Sequence, residues 1–64
     1  MKSIDKFILC ALDAQRIAVS NYSIIMNKLD SQDKKMKFLN YLNKNRSVIL
    51  RDKDIFLKLK EITG

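Results

Sequence analysis

The chain has 64 residues and a mass of 7.5 kDa, with 13 Lys/Arg against 7 Asp/Glu and a formal charge of +6. It has no His, no Pro, one Gly and one Cys. That excludes a second domain, an intrachain disulfide and the usual zinc ligand sets, and a chain this short buries only about 60% of its unfolded surface.

The first segment runs from about Ile4 to Leu29. Ser3 is a plausible N-cap, and Asp5 sits in the first turn, where the helix dipole favours negative charge. At about 100° per residue one face collects Ile4, Phe7, Ile8, Ala11, Ala14, Ala18, Val19, Tyr22, Ile25, Met26 and Leu29. Asp5, Asp13, Arg16, Ser20, Ser23 and Asn27 fall opposite. Leu9, Ile17 and Ile24 interrupt that polar face and suggest a second contact surface for a partner or another copy. Cys10, flanked by apolar residues, reads as a packing residue.

The second segment runs from about Gln32 to Lys44, capped by Ser31 or Asp30. Phe38, Leu39, Tyr41 and Leu42 share one side, with Lys34, Lys37, Asn40 and Lys44 toward the other. The third segment is ambiguous. Ser47–Arg51 is short enough to be a strand or a helical turn. Asp52 or Asp54 would then cap a helix from about Lys53 to Ile62, although residues 55–60 also alternate in part. No glycine stands at the Arg51–Asp54 turn, which argues against a hairpin.

These segments predict a mainly α, three-helix domain over residues 1–64 with a long first helix. The alternative is a winged-helix-like α+β domain with a short strand near 48–51. No stretch approaches the roughly 20 apolar residues of a membrane span, and residues 7–12 are too short for a signal h-region, so a soluble cytoplasmic protein is expected.

The chemistry of enzymes is poorly provided for. No His is present for general acid–base work, Cys10 has no His partner, and no internal glycine builds a phosphate loop. A non-enzymatic protein is expected, with no metal, cofactor or small-molecule substrate.

The charge distribution says more. Residues 1–30 carry four basic side chains against three acidic ones, and residues 31–64 carry nine against four. Lys34, Lys35, Lys37, Lys44, Arg46, Arg51 and Lys53 form a candidate basic surface for phosphate contact. The sequence therefore predicts a small regulator that binds DNA through its C-terminal half as a homodimer. The alternative is an adaptor or inhibitor that occupies a surface of a larger protein. The bland explanation of the lysines is a solvated face that keeps the protein soluble.

One stretch bears on the DNA reading. Ala14, Ala18, Val19, Ser20 and Ile24 stand in the order of small, small, apolar, capping and apolar positions, and Ala14–Ile24 resembles a helix-turn-helix core. The resemblance implies a recognition helix near Asn21–Lys28, with Asn21, Tyr22, Ser23, Asn27 and Lys28 facing DNA. Ala18 replaces the usual glycine, while Asp13 and Asn27 stand where apolar residues are common. One uninterrupted amphipathic helix fits the main stripe better.

Overall fold

The computed structural model describes residues 3–64, except for the side chain of Ser3, so the capping role expected of Ser3 lies outside the described atoms. Four α-helices follow in order: α1 (Ser3–Ala14), α2 (Tyr22–Lys28), α3 (Gln32–Lys44) and α4 (Asp52–Thr63). A single 3₁₀ turn, Val19–Asn21, leads into α2. The mainly α class is as expected. The long first helix is not, because it is cut in two.

The cut has a local cause. Arg16 adopts the left-handed conformation, with φ of 64°. Its N–H donates to the Asp13 carbonyl at 2.9 Å, and the Ile17 N–H donates to the Leu12 carbonyl at 3.0 Å. That bond pair closes a helix C-terminus in the Schellman manner, with Arg16 where glycine is usual. The accompanying apolar contact normally joins the residue after the left-handed one to the third-last helical residue. Those residues are Ile17 and Leu12, and both are buried. Ile17, 4% exposed, thus belongs to the core and not to a partner face.

Packing follows from the broken helix. Ile4, Ile8 and Leu12 recur every fourth residue along α1, which packs chiefly on α3. Phe38, Leu39 and Leu42 answer from α3. Ile55 and Leu59 of α4 complete the core together with Ile25 of α2 and Leu29 just after it. α2 packs chiefly on α4. Four residues of the expected stripe are exposed: Phe7 and Ala14, at the edge of the inward face of α1, and Ala18 and Val19, where the chain is re-phased after Arg16. Cys10 is exposed as well, contrary to the packing role expected of it.

The second segment has the expected bounds. Ser31 is its N-cap, and the Ser31 Oγ accepts from the Lys34 N–H at 3.3 Å. α4 starts one residue early, on an uncapped Arg51, with Asp52 and Asp54 inside its first turn rather than capping it. Among the described residues there is no strand, so the winged alternative falls. Residues 45–51 form a connection of turns and extended backbone. None of the four helices is long and apolar enough to cross a membrane.

Candidate nucleic-acid interface

The α3–α4 connection owes its shape to a residue from another part of the chain. Gln15 follows the last residue of α1 and is 3% exposed, the one buried polar side chain among the described residues. It continues the inward face of Ile4, Ile8 and Leu12. Its Nε2 donates to the carbonyls of Asn45 at 3.2 Å and Val48 at 3.0 Å. Its Oε1 accepts from the Leu50 N–H at 2.7 Å. Both ends of the amide are satisfied by backbone groups that no helix supplies with partners. A buried amide without them would carry a large desolvation cost.

α3 holds the connection at its start. Asn45 ends the helix, and its Nδ2 donates to the Tyr41 carbonyl at 2.8 Å. The Val48 N–H donates to the Asn45 carbonyl at 3.1 Å, which tightens the turn. Leu50 turns inward against the core. Val48 and Ile49 do the opposite, at 53% and 59% exposed.

The seven expected phosphate-binding residues divide into two groups. Lys34, Lys35 and Lys37 lie in the first half of α3, and each has a carboxylate partner. Lys34 Nζ is 2.8 Å from Asp30, Lys37 Nζ is 3.2 Å from Asp33, and Lys35 Nζ is 2.9 Å from Asp5 of α1. Asp5 Oδ1 is shielded from solvent, and the Lys35 ammonium meets it as a charge contact outside hydrogen-bond geometry. The hydrogen bond and charge of Lys34 hold the Asp30 carboxyl below the usual carboxylate range. Three lysines against three carboxylates leave this part of the surface without excess charge.

Lys44, Arg46, Arg51 and Lys53 form the second group. All four are exposed, and no ion pair involves them among the described residues. They span the last turn of α3, the connection and the first turn of α4. Asp52 and Asp54 offset part of the charge but pair with none of them. The Gln15 bonds also bring the adjoining Arg16 backbone to this end of the molecule, where its exposed side chain adds a fifth cation. The sequence reading missed Gln15 and Arg16. A glutamine in register with an apolar helical stripe was the available signal.

The helix-turn-helix resemblance places its second helix where α2 lies, Asn21–Lys28 against Tyr22–Lys28, but its turn and packing differ. That pattern places the turn at Ala18, whereas the left-handed residue is Arg16 and α2 begins at Tyr22. The main packing partners of α1 and α2 are α3 and α4, not each other. Tyr22 is half-buried; desolvation and the neighbouring Asp13 carboxylate raise its hydroxyl above the ordinary value of 10.0, so it stays neutral.

Two concave surfaces flank α3. One, of about 430 Å³, lies between α1 and α3 and is lined by Phe7, Cys10, Ala14, Leu39, Asn43 and Arg46 among others. The other, of about 620 Å³, lies between α3 and α4, with Lys37, Tyr41, Lys44, Lys58 and Glu61 in its wall. Lys58 lies 5.5 Å from the centre of the Tyr41 ring and 3.1 Å from Glu61. The expected face of Leu9, Ile17 and Ile24 is not continuous: Leu9 is half-buried, Ile17 buried and Ile24 half exposed. Among the described residues no three His, Cys, Asp or Glu side chains gather as metal ligands. Comparison with protein-family models, with curated proteins and with solved structures yields no match.

Proposed function

We propose that this protein is a small non-enzymatic regulator that binds DNA through the α3–α4 connection, with Lys44, Arg46, Arg51 and Lys53 as phosphate contacts and Arg16 beside them. The observation that carries the reading is that these cations have no carboxylate partner among the described residues, and that Arg46 and Arg51 lie on a connection held by Gln15 while Lys44 and Lys53 stand on the flanking helices. A fixed cationic surface loses little ordering entropy on binding, and phosphate contact there releases counterions from the DNA. Lys34, Lys35 and Lys37 drop out of the contact set, because an approaching phosphate would also meet Asp5, Asp30 and Asp33. The exposed, unpaired thiol of Cys10 fits the reducing cytoplasm.

Fluorescence anisotropy with a random duplex tests this. Arg46→Glu/Arg51→Glu is expected to abolish binding at moderate salt, and Lys34→Glu/Lys37→Glu to leave most of it. The reverse order, or no binding by the wild type at low salt, refutes the assignment.

A second reading rests on the groove between α1 and α3. Its wall is mainly apolar, Phe7 at its edge is exposed, and Arg46 marks one end. An amphipathic helix with an acidic residue at the Arg46 end would suit it, which keeps the adaptor function open. Homodimerisation through Leu9, Ile17 and Ile24 has lost its central residue to the core.

A further inference from the structure

Resting on the DNA reading, we propose that Val48 and Ile49 are an apolar wedge that enters the minor groove, separates a base step and bends the duplex. The two side chains are adjacent, exposed and apolar, at the point of the connection farthest along the chain from both helices. Leu50, half-buried on the inner side, leaves this pair as the exposed apolar side chains of the connection. Gln15 bonds the Val48 carbonyl and the Leu50 N–H, so backbone on each side of Ile49 is fixed and the pair cannot fold back onto the core without breaking those bonds. Both residues are β-branched, with few rotamers to lose on insertion.

The flanking charges choose the occupant. Arg46 stands two residues before Val48, and Arg51 two residues after Ile49. A step opened by an apolar side chain has phosphates on both sides, and arginine suits phosphates and narrow minor grooves. An anionic lipid surface would meet the same cations. The tip, however, has no Trp, Tyr or Phe, the residues that favour the membrane interface.

The test uses the full chain and a duplex of about 30 base pairs with a dye at each end. Wild-type protein at saturation is expected to raise energy transfer, as bends of about 20–90° do in wedge-type complexes. Val48→Ser/Ile49→Ser is expected to bind more weakly with the same salt dependence and to leave the transfer at its free-duplex value. Ile49→Val is expected to keep the bend, because a β-branched apolar side chain remains at the tip; loss of the bend in this variant would overturn the wedge. Circular dichroism checks that the exposed substitutions leave the helices intact.

Wild-type binding without a change in transfer overturns the wedge and leaves the interface standing. So does equal bending by the serine variant. Vesicles of phosphatidylserine provide the other arm: wild-type binding to them that the serine variant loses, with no bending of DNA, assigns the tip to a lipid surface instead. Absence of duplex binding at low salt removes the DNA reading itself, and the wedge with it.

Discussion

Leucine at position 15 would keep the volume of the glutamine but none of its three hydrogen bonds. The Val48 carbonyl and the Leu50 N–H would have to find water or rearrange the connection, while the Asn45 carbonyl would keep the Val48 N–H. Gln15→Leu is expected to cost about 2 kcal/mol or more in urea unfolding, given about 1–3 kcal/mol for each polar group left unsatisfied. Arg16 is the opposite case. Its left-handed backbone costs a non-glycine residue about 1 kcal/mol, so Arg16→Gly is expected to stabilise the fold by up to about that amount. Loss of stability on that substitution would contradict the Schellman geometry. Ile17 and Ile24 separate cleanly in the same assay. Ile17→Asp buries a charge in the core and is expected to cost more than about 3 kcal/mol, whereas the half-exposed Ile24→Asp should stay within about 1 kcal/mol. In the sequence these two isoleucines share a helical face. The turn at Arg16, closed without a glycine, sends Ile17 inward onto Leu12.

At the scale of elements, α3 was legible because it carries conventional signals: Ser31 for its cap, Asp33 in its first turn and Lys44 in its last. Ser31→Ala is expected to cost about 1 kcal/mol, measured by thermal or urea unfolding. The Asp30–Lys34 pair is solvent-exposed and adds little to stability, but it leaves a pH signature. The folded pKa of Asp30 lies below the unfolded one. Its contribution is therefore present above the unfolded value and is lost as pH falls through the folded value. Lys34→Met should move the Asp30 titration upward in carboxyl-detected NMR; an unmoved titration would show that the pair does not hold in solution. The start of α4 was legible to within a residue, through Asp52 and Asp54. The break after α1 was not. Continuing the helix would have placed Val19 inward with the other apolar residues, so periodicity alone rewards the wrong answer. The price of that regularity would have been Gln15 without its loop.

The whole molecule measures 26 × 25 × 23 Å, several times the Debye length of about 8 Å at physiological salt. Its charge of +6 therefore does not act as one field, and what a phosphate meets depends on the face it approaches. The sequence correctly placed the excess in the C-terminal half. It did not reveal that Asp5 would stand beside Lys35, because only a tertiary contact between α1 and α3 brings them together; the Asp33–Lys37 pair has the i,i+4 spacing of a helix. If Lys44, Arg46, Arg51 and Lys53 each meet one phosphate, the logarithm of affinity should fall with the logarithm of salt at a slope of about −3.6. Seven contacts would give about −6, so a titration between low and moderate salt distinguishes the local cluster from the full basic half.

The Gln15 hydrogen bonds join residues 30, 33 and 35 positions apart. Such bonds close only after the intervening helices have docked, which makes the connection a late element of folding. It also changes how the connection opens afterwards. The Leu50 amide sits in irregular backbone, where hydrogen exchange is usually fast, yet its acceptor is anchored at the end of α1. Its exchange should track opening of the α1–α3 core rather than local fraying, while the neighbouring Ile49 amide exchanges freely. A protected amide in the middle of a surface loop would be the kinetic mark of the clamp.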